Sequence, residues 1–251
     1  MNIRNWRDQT PHVGHASAVT WLYFTADYDE SWHDEPCCLQ GVEAIAKQAV
    51  QGRKNSDYHV HEDMEQVQYV LSGTGIMRLD DAEYVIQPGD VIYIPAKVKH
   101  QFINNTEDWA EFLIISCMVD NPPPVPPIIK NWRDETPYVS HESAVIWSIY
   151  GHAGGSSGNS EKNYMQTLTH LVLHTIQGRR DSDYHAHGDM EQLYYILSGN
   201  AVVRANDEEY PVKEGDVVHF IPGEKHQLKN TGSDFWCEYL IFGANIRKTN
   251  S

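Results

Sequence analysis

Apolar residues along this chain come in short alternating or β-branched runs rather than at helical spacing. Tyr69-Val70-Leu71, Val91-Ile92-Tyr93-Ile94 and Phe112-Leu113-Ile114-Ile115 predict strands, and turn sequences such as Gln87-Pro88-Gly89-Asp90 separate them. Glu43 to Val50 has helical character by itself. The matching stretch later in the chain, Thr169-His170-Leu171-Val172-Leu173-His174-Thr175-Ile176, alternates and is β-branched, so both are read as strands. Short strands spaced by about ten residues predict an all-β fold of barrel or jelly-roll type.

The pattern occurs twice. Asn5-Trp6-Arg7-Asp8 returns 126 positions on as Asn131-Trp132-Arg133-Asp134, and His15, Ser17, Ala18, Val19 and Trp21 return as His141, Ser143, Ala144, Val145 and Trp147. From Gln51 to Gly73, 16 of 23 positions are identical to Gln177 to Gly199, which is enough to treat the two halves as copies of one unit. The offset slips to 127 only near Trp109, which matches Trp236. Between the copies, Asn121-Pro122-Pro123-Pro124-Val125-Pro126-Pro127 has to be extended and cannot continue a sheet or helix. These features predict an N-terminal domain over residues 1–120, a stiff linker over 121–128 and a C-terminal domain over 129–251. Residues 151–163, rich in Gly and Ser, and their acidic counterpart in the first copy read as exposed loops.

Composition narrows the function. With 41% hydrophobic residues spread along 251 positions, the chain can build two ordinary packed cores. Nineteen Lys and Arg against 35 Asp and Glu leave a net charge of −16, which repels phosphate backbones and anionic membranes, so neither nucleic acid nor membrane is an expected partner. Cys37, Cys38, Cys117 and Cys237 have no CxxC spacing and read as reduced thiols. The first residues lack the apolar stretch of a signal peptide and no run is long enough to span a membrane, so the expected compartment is the cytoplasm.

The candidate chemistry is repeated too. Each copy carries His-x-His, a Glu-Gln pair shortly after it and a third histidine further on: His59, His61, Glu65-Gln66 and His100, then His185, His187, Glu191-Gln192 and His226. On a strand, His-x-His turns both imidazoles to one face, and a third His from a neighbouring strand closes a cluster able to hold a divalent metal. A lone set would be weak evidence. Two sets at matched places are not readily explained as unrelated surface histidines.

On these residues the chain resembles the cupins. Gly52, His59, His61, Gln66 and Gly73 resemble their first motif, and Gly89, Pro95, His100 and Asn104 their second. The second copy offers Gly178, His185, His187, Gln192 and Gly199, then Gly215, Gly223, His226 and Asn230. The resemblance covers essentially the whole chain and implies a two-domain cupin with one divalent transition metal, Fe, Mn, Ni, Zn or Co, in each domain. It also implies a small-molecule substrate and, since cupins pair through barrel faces, a homodimer.

Three departures from the motif matter. The spacer from Gly52 to His59 is one residue long of the usual pattern. Lys97 stands where the first copy should have a glycine and Ile221 where the second should have a proline, which predicts different turns before the third histidines. Finally, six residues before Gly73 and Gly199 stand Gln66 and Gln192, where the family usually has a glutamate ligand. By strand parity Glu65 and Glu191 should face away, so the expected metal sets are His59, His61, Gln66, His100 and His185, His187, Gln192, His226.

A neutral Gln leaves a divalent ion its full charge, which favours Lewis-acid over redox chemistry. Similar His/Gln sets occur in cupins that ketonise unsaturated sugar acids and in a bicupin isomerase of antibiotic biosynthesis. The leading expectation is therefore a redox-neutral isomerase, tautomerase or lyase acting on a small oxygenated acid. A dioxygenase is the alternative enzyme and a binding or storage protein the alternative without catalysis. Proton carriers are sought among repeated polar residues: Glu111 and Glu238 first, Tyr58 and Tyr184 second, with Arg53 and Arg179 able to hold a carboxylate. Gln68 and Tyr194 share the ligands' face by parity and should contact substrate and make the two pockets unequal, as should Phe102 against Leu228. The Trp-Arg-Asp segments read as packing between domains, and His15 and His141 as structural.

Overall fold

The structure, a computed structural model, describes residues 1–27, 37–154, 163–233 and 235–247. Short alternating runs with few helix formers give an almost wholly β chain that packs as two compact units, each carrying one copy of the histidine set. Among the described residues no helix is long and apolar enough to cross a membrane, and none of the four cysteines is in a disulfide.

The first barrel contains Gln9–Asp134 and Tyr164–Thr167. Its larger sheet runs in the order Ile128–Asn131, Asp90–Ile94, Met64–Ser72, Ala110–Met118, Ala44–Val50, Ala18–Ala26 and His12–Gly14, with Cys37–Leu39 beside Ala18–Ala26. The smaller sheet orders His100–Ile103, Gly75–Leu79 and Ala82–Ile86. Between them the inward-facing Val50, Val70, Met77, Ile86, Ile92, Phe102 and Phe112 form the core. Such alternation is what two antiparallel sheets packed face to face require.

The second barrel contains Met1–Asp8, Glu135–Asn163 and Leu168–Ser251. Its larger sheet runs Asn2–Asn5, Asp216–Phe220, Met190–Ser198, Cys237–Asn245, Leu168–Ile176, Ala144–His152 and Tyr138–Ser140. Its smaller sheet runs Arg180–Asp181, His226–Asn230, Asn200–Ala205 and Glu208–Lys213.

The packing units therefore do not coincide with the sequence boundaries at 1–120 and 129–251. Asn2–Asn5 pairs with Asp216–His219, and Ile128–Asn131 pairs with Asp90–Tyr93, so each copy's first strand joins the barrel of the other copy. An internal repeat is blind to this exchange, because both copies perform it. The exchange also gives the Trp-Arg-Asp segments their place. Trp6 and Arg7 lie over the turn at Gly215, where a Cβ would stand 2.8 Å from atoms of both, and Trp132 and Arg133 cover Gly89 in the same way. Both glycines have positive φ, 85° and 91°, so neither space nor backbone admits another residue there without strain.

The strands expected at Glu43–Val50 and Thr169–Ile176 are present as Ala44–Val50 and Leu168–Ile176. The proline segment carries no strand before Ile128. The loop expected over 151–163 is shorter than expected: Ala144–His152 continues as strand to its end and Asn163–Met165 begins another. Its middle, residues 155–162, and most of the acidic counterpart, residues 28–36, lie outside the described residues.

Candidate metal centre

In each barrel the His-x-His segment is tied to the third histidine through the backbone. The His59 amide donates to the His100 carbonyl at 3.2 Å and the His100 amide to the His59 carbonyl at 2.8 Å; His185 and His226 repeat this with the same distances. This places the side chains of a cross-strand pair together. Imidazole centroids in the first barrel are 4.3 Å apart for His59 and His100, 4.9 Å for His59 and His61, and 5.4 Å for His61 and His100. In the second barrel the corresponding distances are 4.8, 4.8 and 5.6 Å. One ring nitrogen from each histidine of a set lies within 4.8 Å of the others, close enough to share one ion.

The turn before the third histidine is alike in both copies, contrary to the expectation from Lys97 and Ile221. Lys97 adopts φ 70° and its counterpart Gly223 φ 78°, and their amides donate to the carbonyls of His61 at 2.7 Å and His187 at 2.6 Å. The first copy thus keeps the glycine conformation on a lysine. In the second, Ile221 supplies an amide that a proline would lack, and it donates to Glu224 Oε2 at 3.3 Å.

The tautomers follow from the hydrogen bonds. His100 Nδ1 lies 3.1 Å from the Val98 carbonyl and His226 Nδ1 2.9 Å from the Glu224 carbonyl; a carbonyl only accepts, so Nδ1 carries the proton. The inward Nε2 of each is then a lone pair, and both are buried without a hydrogen-bond partner among the described residues. Burial, reinforced by the neighbouring histidines, lowers the pKa of His100 to about 3 and of His226 to about 4; burial likewise lowers His61 and His187. In each barrel one buried, neutral imidazole with an open lone pair, set beside two half-buried histidines, is a donor set that fits a divalent transition metal.

Gln66 sits beside this cluster, its amide 3.4 Å from His61 Nε2 and 3.1 Å from Ser116 Oγ. In the second barrel the Gln192 oxygen is buried with no partner among the described residues. Glu65 and Glu191 face away from the histidines, as parity requires. Glu65 is fully buried and accepts from Tyr93 Oη at 2.9 Å and from the amides of Gln166 and Thr167 at 2.8 and 2.7 Å. Glu191, equally buried, lies 3.1 Å from His219 Nε2.

Parity also separates the other candidates. Gln68 and Tyr194 do line the cavities beside the histidines. Glu111 and Glu238 do not. On their strands the neighbours Phe112 and Ile114, Tyr239 and Ile241 point inward, and Glu111 instead meets Lys47 Nζ at 2.8 Å while Glu238 accepts from Ser198 at 3.2 Å. Tyr58 and Tyr184 turn outward from the adjacent histidines to donate to the carbonyls of Asp80 and Asn206, with Arg78 and Arg204 stacked on their rings. Arg53 is an exposed residue paired with Glu107 at 2.6 Å, and Arg179 is exposed at the matching left-handed position.

Other residues come to the site that the sequence reading passed over. His15 and His141 are at the cavities and not remote from them: His15 stacks on His59 at 4.8 Å and His141 on His185 at 5.1 Å. Asp57 Oδ1 stands between His15 Nδ1 at 3.1 Å and His59 Nδ1 at 3.2 Å, and Asp183 stands likewise between His141 at 2.7 Å and His185 at 3.2 Å. All four belong to the repeat and sit near the histidine motif in space, so repetition was the available signal. His170 and His174 also line the second cavity, and these have no repeat signal because Ala44 and Gln48 stand at their places.

The cavities differ in size, about 30 Å³ in the first barrel and about 290 Å³ in the second. The smaller holds about two waters and the larger a small organic molecule. Among the described residues neither is lined by a carboxylate.

Comparison with known proteins agrees with this architecture. The cupin-domain family model matches residues 47–116 and 172–243. An uncharacterized protein of Methanocaldococcus jannaschii is 34% identical over 107 residues, 42% of this chain and 78% of that one. An oxalate-binding protein of Thermotoga maritima is 41% identical over 49 residues, 20% of this chain and 40% of its own. Among solved structures, a Pseudomonas aeruginosa protein described as glyoxylate-induced superposes with a TM-score of 0.75 at 18% identity, over 96% of this chain and 84% of that one. Lactobacillus farciminis oxalate decarboxylase gives 0.73 at 17% identity over 99% and 88%. These two likenesses are of fold.

Proposed function

The chain belongs to the cupin family, and from that premise we propose that it is a metal-dependent enzyme, with one divalent transition metal in each barrel, acting without net oxidation as an isomerase or lyase on a small oxygenated acid. The observation that carries this reading is the pair of buried, unpartnered lone pairs on His100 Nε2 and His226 Nε2, each set among two further histidines and a glutamine. His59, His61, His100 and Gln66 would hold one ion, and His185, His187, His226 and Gln192 the other. A divalent ion held by neutral ligands supplies Lewis acidity, which polarises an oxygen of a bound acid and eases loss or movement of a neighbouring proton or carboxylate.

The chain's own residues prepare that chemistry. Asp57 and Asp183 orient the first histidine of each set through Nδ1. Among the described residues no carboxylate lines either cavity, which limits the like-charge repulsion an anion would meet there. A short carboxylate such as oxalate is the first substrate to test, because a protein 41% identical over 49 residues binds oxalate.

The test is elemental analysis of protein purified without added metal, followed by anaerobic assays of short mono-, di- and keto-carboxylates and unsaturated uronates with zinc and iron forms side by side. Turnover that needs metal and persists with zinc is the expected result. Activity confined to iron, with stoichiometric oxygen uptake, would replace the reading with a dioxygenase, and a chain that takes up no metal would overturn it.

A further inference from the structure

The two barrels share their metal set but not the wall facing it. At matched positions the first cavity has Gln48, Gln68 and Phe112, and the second has His174, Tyr194 and Tyr239. In the first barrel Gln68 donates to Gln66 Oε1 at 3.3 Å and Gln48 to Thr20 Oγ1 at 3.4 Å. The second barrel is arranged differently. The Tyr239 hydroxyl lies 3.4 Å from His174 Nδ1. His174 Nε2 and the Tyr194 hydroxyl make no hydrogen bond among the described residues, although these side chains are only 5% and 4% exposed and line the cavity. Both face the cavity beside the Gln192 oxygen, which is buried with no partner among the described residues, and together they make a polar wall for a small guest.

We propose that the second barrel alone is the ligand chamber, taking one small carboxylate per chain, with the Tyr194 hydroxyl and a proton carried on His174 Nε2 donating to the oxygens of the acid. This rests on the reading of the chain as a metal-dependent small-acid cupin. The first barrel, whose cavity holds about two waters, binds metal but lacks the volume for the acid. Burial keeps His174 neutral, its pKa lowered to about 3, so it does not place a second cation beside the metal. The asymmetry lies in the wall residues, with the metal ligands unchanged between the copies.

Calorimetric titration of the zinc-loaded full chain with oxalate, malonate and pyruvate tests this. We expect at least one of these acids to bind with a stoichiometry of one per chain while elemental analysis finds two metals. His174→Gln installs the residue the first barrel already carries, and Tyr194→Phe keeps the ring. Each should weaken that binding at least tenfold, with two metals per chain and the melting temperature retained. Two acids per chain with equal affinity, or full affinity in both variants, would overturn the chamber while leaving the metal-dependent reading intact. Failure of all three acids to bind a chain holding two metals would overturn chamber and substrate class together.

Discussion

Oδ1 of Asp57 lies 3.2 Å from Nδ1 of His59, and the same carboxylate takes His15 Nδ1 at 3.1 Å. The contact holds the His59 ring so that Nε2 points at the other histidines, where it lies 3.2 Å from His61 Nε2. Orientation of this kind is worth 10- to 100-fold in metal affinity in other sites. Asp57→Ala and Asp183→Ala should therefore each weaken one of the two sites by about tenfold or more, read by competition with a chelator, without lowering the metal count at saturation.

Removing ligands should act on one barrel at a time. His59→Ala combined with His61→Ala should lower the metal content from two per chain to one, and His185→Ala with His187→Ala should do the same from the other side. A double variant that still carries two metals would show that the imidazoles are not what holds the ion.

Glu65 and Gln66 adjoin in sequence but should separate in experiment. Glu65→Ala strips a buried acceptor from the Tyr93 hydroxyl and two backbone amides, which should cost on the order of 3 kcal/mol of stability and leave metal content unchanged. Gln66→Ala should weaken metal binding in the first barrel with a smaller effect on the melting of the metal-free protein. A folded Glu65→Ala chain with only one metal would reverse the assignment of the ligand.

The metal-free protein should lose stability as the pH falls below 6.5. His100, His174 and His226 have native pKa values lowered to about 3, about 3 and about 4 from the ordinary 6.5, chiefly by burial. Between these limits the unfolded chain binds protons that the folded chain refuses, so unfolding is favoured progressively, by up to about 1.4 kcal/mol per histidine for each pH unit. Above 6.5 the three are neutral in both states and contribute nothing. Urea denaturation of the metal-free chain at pH 7, 6 and 5 should show falling midpoints, and a flat profile would refute the neutral assignment.

Strand parity and repetition made much of this molecule legible in advance, and each had a characteristic blind spot. Parity, applied to Met64–Ser72, correctly turned Glu65 away from the histidines; the same rule would have turned Glu111 away from the cavity, since Phe112 and Ile114 face it. Repetition marked the histidine sets, because both barrels keep them, but a search for what is alike hides what differs. His170 and His174 stand opposite Ala44 and Gln48 and carried no such mark. His15 and His141 are repeated, yet their distance along the chain concealed that the edge of the sheet returns them to His59 and His185. The exchange of first strands was invisible because register and partner are tertiary properties that no run of Asn-Trp-Arg-Asp specifies.

That exchange has a consequence for inheritance. Each barrel is finished by a strand encoded in the other repeat, Asn2–Asn5 for one and Ile128–Asn131 for the other. A recombination or truncation at the repeat junction therefore delivers two barrels that each lack an edge, with their inner strands left open to foreign pairing. The two halves must be transmitted together. Under that constraint one barrel's wall is free to drift toward a guest while the other's closes, because losing either copy removes both.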